Sequence, residues 1–104
     1  MLDSKYKIMK KETFEELIKN RDEVLLLDIR EAEELSGDET IEGAVNMPMG
    51  KVFTEAIKNN LPKDKQIIVF CRTGGRASIV ERELQERGYM INGLEGGLVE
   101  LRSV

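Results

Sequence analysis

The sequence predicts an α/β fold, a mainly parallel sheet flanked by helices on both faces, and two observations carry that prediction. Two short runs, Val24-Leu25-Leu26-Leu27 and Ile67-Ile68-Val69-Phe70-Cys71, are uniformly apolar. They are too short for surface helices and lack the alternation of a half-exposed strand, so they read as strands buried on both sides. Around them lie segments whose apolar residues recur at helical spacing, and strands alternating with helices imply parallel pairing through right-handed crossovers.

Each element follows in order. Thr13-Phe14-Glu15-Glu16 reads as a helix start, with Thr13 as N-cap, Glu16 closing a capping box, and Leu17 and Ile18 on the apolar face. This helix is expected to end near Asn20. Val24 to Asp28 is the first buried strand, with Asp28 at its carboxyl end. Glu31 to Ser36 suits a short helix before the polar turn Gly37-Asp38-Glu39, and Ala44-Val45-Asn46-Met47 a short strand stopped by Pro48. Gly50 to Asn60 places Val52, Phe53, Ala56 and Ile57 at helical spacing, and Pro62 with Lys63-Asp64-Lys65 makes the next turn. Gln66 to Phe70 is the second buried strand. From Arg76 or Ala77, the positions Ala77, Val80 and Leu84 line one helical face, with Gly88 as the expected stop. Tyr89 to Asn92 is a last strand, and Gly96-Gly97 leads into a final helix through Leu98 and Leu101. Met47 and Met49, flanking Pro48, are expected to fill the core.

A chain of 104 residues, 40% hydrophobic and 35% charged, fits one domain spanning residues 1–104. No apolar run approaches the roughly 20 residues needed to cross a bilayer. The amino terminus, MLDSKYKIMKKE, has no secretory apolar stretch, so a cytoplasmic, reducing location is expected. With one cysteine and no histidine, an internal disulfide and the usual Cys/His zinc sets are excluded, and so is any nucleophile activated by histidine. No cofactor or metal is expected. The net charge of -4, with no basic cluster longer than Lys10-Lys11, speaks against nucleic acid as a partner.

The single cysteine, Cys71, lies at the carboxyl end of a buried strand, where open α/β sheets bind ligands. It opens the segment Cys71-Arg72-Thr73-Gly74-Gly75-Arg76, with a helix expected to begin at its end. Two glycines allow positive φ, so backbone N–H groups can turn into one concavity facing a helix N-terminus. Together with Arg72 and Arg76, these amides favour thiolate over thiol without histidine. Loop length then separates two chemistries. Cysteine-dependent phosphatases place five residues between Cys and Arg around a tetrahedral phosphate, whereas four separate Cys71 from Arg76. The shorter ring suits the outer sulfur of thiosulfate or a persulfide on the cysteine itself.

Four blocks together resemble the rhodanese family over about residues 5–102. They are Leu26 to Arg30 with Glu33-Glu34-Leu35, Ile41 to Pro48, Ile68 to Ala77, and Leu94 to Gly97. The resemblance implies a five-stranded sheet and transfer of sulfane sulfur from a small anionic donor such as thiosulfate to cyanide or a thiol. Acceptor thiols compatible with an open loop include a thioredoxin-like protein, glutathione and a sulfur carrier. Carried over by position, Cys71 would be the nucleophile that becomes the persulfide, and Arg72, Thr73, Gly74, Gly75 and Arg76 its cradle. Arg72 and Arg76 would bind the anionic donor. Asp28 would support the loop by hydrogen bonds, and Arg30 with Glu34 would form a structural ion pair. Family members usually carry histidine where this chain has Thr40 and tryptophan near Leu101. Two alternatives stand beside this reading: a domain that keeps the fold as a weakly catalytic binding or sulfur-carrier module, and a phosphatase or arsenate reductase.

Overall fold

A computed structural model of the chain describes residues 9–35 and 40–102. The expected turn Gly37-Asp38-Glu39 lies outside the described residues. Helix α1 covers Lys11–Leu17. Thr13, expected as N-cap, instead lies within its first turn, because the helix begins after Lys10 with no side-chain cap. Phe14 explains the earlier start. Its N–H donates to the Lys10 carbonyl at 2.9 Å, and its ring is fully buried. Burying a Phe contributes about 1.5–3 kcal/mol, more than the ~1 kcal/mol of a typical cap. The chain continues as a tight 3₁₀ turn over Ile18–Glu23, broken at Asn20 (φ -107°, ψ 64°). The expected end near Asn20 therefore coincides with a break in helical geometry.

Four strands form the sheet: β1 (Val24–Asp28), β2 (Val45–Asn46), β3 (Gln66–Phe70) and β4 (Ile91–Gly93). Their order is β2-β1-β3-β4 and every pair is parallel, with Leu27 opposite Val45, Leu26 opposite Ile68, and Ile68 opposite Asn92. The five strands implied by family resemblance are thus corrected to four among the described residues. Beyond β4 there is one isolated parallel bridge, Met9 to Leu94. β2 is short because Pro48 ends its supply of N–H donors.

Helix α2 covers Met49–Ile57, α3 Gly75–Glu86 and α4 Gly97–Arg102. Strand alternation divides the core in two. Leu27, Ile29, Ile67, Val69 and Cys71 pack with Val52 and Ala56 of α2 and with Ala77, Val80 and Leu84 of α3. On the opposite face Val24, Leu26, Ile68 and Phe70 pack with Phe14 of α1 and Leu98 of α4. Met47 and Met49 are partly buried against the first cluster, which also contains Cys71. Gly88 stops α3 as expected, at φ 93°. Among the described residues no helix is long and apolar enough to cross a membrane.

Candidate functional site

Cys71 continues the alternation of β3 one residue past its end and is only 1% exposed. Its Sγ accepts the N–H of Gly74 at 3.1 Å. Gly74 is the N-cap of α3 and takes φ 99°, a left-handed conformation that costs glycine little. The helix consequently begins at Gly75, one or two residues ahead of the Arg76 or Ala77 expected. The sulfur therefore lies at the N-terminus of a 12-residue helix, an environment favourable to anions. The two glycines divide the work unequally. Gly74 alone has positive φ, while a Cβ on Gly75 would meet nothing within 4 Å.

A pedestal beneath the loop comes from the end of β4. Leu98 and Val99, in the first turn of α4, donate their N–H groups to the carbonyls of Cys71 and Arg72, each at 3.0 Å. This approach requires glycine at position 97. Gly97 has φ 61°, and a Cβ there would lie 2.5 Å from both of those carbonyl oxygens. Gly96-Gly97 is thus a helix-start turn, as its sequence suggests, and its closeness to the cysteine loop is what the sequence does not disclose. On the far side, Glu81 of α3 accepts the Gly93 N–H at 3.1 Å, fixing α3 against β4. Burial pushes the Glu81 carboxyl above its usual 4.5.

The acid and base groups pair differently from expectation. Arg30 and Asp28 form a buried ion pair, with Nε to Oδ1 at 3.0 Å and Nη2 to Oδ2 at 2.8 Å. Thr40 adds its hydroxyl to Asp28 Oδ2 at 2.7 Å. Asn46 Nδ2 reaches the carbonyls of Asp28 and Arg30, both at 2.9 Å, and Ile29 donates its N–H to Phe70 at 3.0 Å, directly before Cys71. The expected pairing of Arg30 with Glu34 is corrected by this arrangement. Arg30 folds back on the carboxylate two residues before it. Glu34, in the short 3₁₀ turn Ala32–Leu35, instead faces the first turn of α3. Its two oxygens take Arg76 in a fork, Nη1 to Oε1 at 2.6 Å and Nη2 to Oε2 at 2.9 Å.

Burial works against ionisation of Asp28, but the hydrogen bonds from Arg30 and Thr40 outweigh it and hold the carboxyl below its usual 3.8. The Arg76 fork, helped by the Glu31 N–H, lowers Glu34 to about 2. Arg76 is raised first by Glu34 and further by the nearby Cys71 sulfur. Both carboxylates have folded values below their unfolded ones, so their stabilisation is present above the unfolded values and lost as pH falls through the folded ones. Glu81 has the opposite sign, since its ionisation costs stability as pH rises. The melting temperature should therefore peak in mild acid above pH 4.5 and fall towards pH 2, with Glu34→Gln removing part of the fall. Thermal melts followed by circular dichroism check this, and a Glu34→Gln curve of unchanged slope would contradict it.

The structure thus brings Cys71, Arg72, Thr73, Gly74, Gly75 and Arg76 into one strand-to-helix turn, with Asp28 and Arg30 on the adjoining strand end. Arg72, Thr73 and Gly75 are exposed. Sequence reasoning missed the contact of Gly97 with the cysteine loop and the role of Asn46, and misassigned the partner of Glu34. No linear signal links Glu34 to Arg76 across 42 positions. Among the described residues no group of three or more Cys, Asp or Glu side chains could hold a metal ion.

A parallel α/β sheet presenting a cysteine at a helix N-terminus defines a class of domain, and comparison with known proteins places the chain within it. Residues 10–103 match the rhodanese-like domain family, and the chain belongs to that family. It is 34% identical over 79 residues to a tRNA sulfurtransferase of Desulfurococcus amylolyticus, covering 76% of this chain but 15% of that protein. It is 28% identical over 89 residues to a sulfurtransferase of Allochromatium vinosum, covering 85% of this chain and 80% of that one. A crystal structure of a rhodanese-related protein from Thermoplasma volcanium superposes with a TM-score of 0.75 at 26% identity, covering 92% and 90% of the two chains.

Proposed function

We propose that this protein is a sulfurtransferase that carries sulfane sulfur as a persulfide on Cys71, acting as one domain in a reducing, cytoplasmic setting. The observation that carries this reading is the Gly74 N–H on Cys71 Sγ at 3.1 Å, at the N-terminus of α3. The same geometry that favours a thiolate stabilises the persulfide anion that replaces it. Family membership and the relatives named sulfurtransferase support the same chemistry.

The Cys71 thiolate attacks the outer sulfur of a donor such as thiosulfate. The S–S bond of the donor breaks and sulfite leaves with its electron pair. An acceptor thiolate or cyanide then attacks the outer sulfur of the persulfide and returns the Cys71 thiolate, a two-step covalent route. Arg72, Thr73, Gly74, Gly75 and Arg76 form the cradle, and Asp28 with Arg30 supports its base. A thioredoxin-like protein is one acceptor suited to a loop at the sheet edge. Intact-mass measurement after incubation with excess thiosulfate should show the gain of one sulfur atom, reversed by reductant and absent from Cys71→Ser. No gain from thiosulfate or from a small-thiol persulfide at any concentration would overturn the reading.

A further inference from the structure

The fork between Glu34 and Arg76 changes what the loop offers to a donor. Arg76 is the loop residue placed to meet an anion beside Cys71, whose sulfur lies near enough to stabilise the charged guanidinium. Both of its terminal nitrogens are already held by one carboxylate, at 2.6 and 2.9 Å. Planar two-point pairing of this kind is the strongest that arginine makes with a carboxylate. The pair is about a third exposed, with side-chain exposures of 32% and 30%, so an incoming anion can reach it. Such an anion must displace Glu34 to use Arg76 or approach with Glu34 in place. Either way it is opposed by a fixed negative charge, and a dianion is opposed about twice as strongly as a monoanion at the same distance.

We propose that Glu34 determines donor specificity at the Cys71 site: by pairing with Arg76 it biases the loop towards sulfane donors carrying at most one negative charge, persulfides of small thiols, over dianionic thiosulfate. This rests on the sulfurtransferase reading above. The preferred step balances without any further reactant. The Cys71 thiolate attacks the terminal sulfur of R–S–SH, the S–S bond of the donor breaks, RS⁻ leaves with the electron pair, and Cys71 keeps the S–SH group with its proton. Thiosulfate loading follows the same electron count with sulfite leaving, and differs in the charge brought beside Glu34. Because Glu34 stays ionised down to about pH 2, the bias operates throughout the neutral range.

The test measures loading of Cys71 by intact mass against donor concentration, with thiosulfate and with 2-hydroxyethyl persulfide. The proteins compared are wild type, Glu34→Gln and Glu34→Asp. Glu34→Gln should lower the half-saturating thiosulfate concentration by roughly fivefold, the scale of one partly exposed charge pair, and leave that of the persulfide within about twofold. Glu34→Asp, which keeps the charge, should retain the wild-type ratio. Added salt should narrow the difference between the two donors in wild type. A change common to both donors would mean that Glu34 only braces the loop, and an unchanged or higher thiosulfate value in Glu34→Gln would equally overturn the proposal. If wild type loads from neither donor, the sulfurtransferase reading itself fails, an outcome distinct from loading that ignores Glu34.

Discussion

Arg30→Leu is expected to destabilise the protein by about 3–5 kcal/mol, the cost of leaving a buried carboxylate without its counter-charge. The Arg30 and Asp28 side chains are 0% and 1% exposed, so water cannot take over the lost contacts. Removing the charge as well should restore much of the loss. In the double variant Asp28→Asn/Arg30→Leu the Asn Oδ1 can still accept the residue-30 N–H while its Nδ2 donates to the Thr40 hydroxyl oxygen, without an ion to solvate. Urea denaturation of wild type, single and double variants measures this directly. A single-variant loss below about 1 kcal/mol, or a double variant no more stable than the single, would show that the pair is not the anchor of the β1 end.

Gly97→Ala is expected to have the second large effect, on both stability and chemistry. Holding alanine at φ 61° costs about 1–3 kcal/mol in backbone strain. The added Cβ would lie 2.5 Å from the Cys71 and Arg72 carbonyl oxygens, so α4 or the cysteine loop must move. Displacement of the reacting group by about 1 Å can cost 10²-fold in rate, and a loss of that order in Cys71 loading is expected. Gly75→Ala is the matched comparison. Its Cβ enters open space at the start of a helix, where alanine is favoured over glycine by about 0.5–1 kcal/mol, so its melting temperature should hold or rise. Equal losses of stability in the two variants would refute the pedestal role of Gly97.

Much of this fold is legible in the sequence because its strongest signals are local. Ile67 to Phe70 is uniformly apolar, and the strand read at Gln66 to Phe70 becomes β3 with the expected limits, while Gly88 marks the end of α3 because positive φ singles out glycine. The start of α1 misleads because a capping box is worth less than the burial of Phe14. The edge strand β2 is illegible for another reason. β2 is two residues long, and pairing so short leaves no period to read.

In the site, the cysteine and its place at a helix N-terminus are legible, since a strand, a cysteine and a Gly-Gly pair follow one another directly. The charge pairings were not. Arg30 and Arg76 each have several acidic residues within plausible reach, and the choice of Asp28 for one and Glu34 for the other depends on how the β1 end and the 3₁₀ turn are directed in space. Thr40 places its hydroxyl on the Asp28 carboxylate at the end of β1, which local sequence does not foretell.

The hold of Glu81 on Gly93 has a consequence for self-association. Leu94 turns its N–H inward to Val69, so the Gly93 and Glu95 donors on either side point outward, where a sheet normally recruits another strand. One is occupied by the Glu81 carboxylate and the other by the Met9 carbonyl at 2.8 Å. A strand arriving at Gly93 and Glu95 finds both donors already engaged, and pairing at Gly93 would first have to pull the Glu81 carboxylate of α3 away.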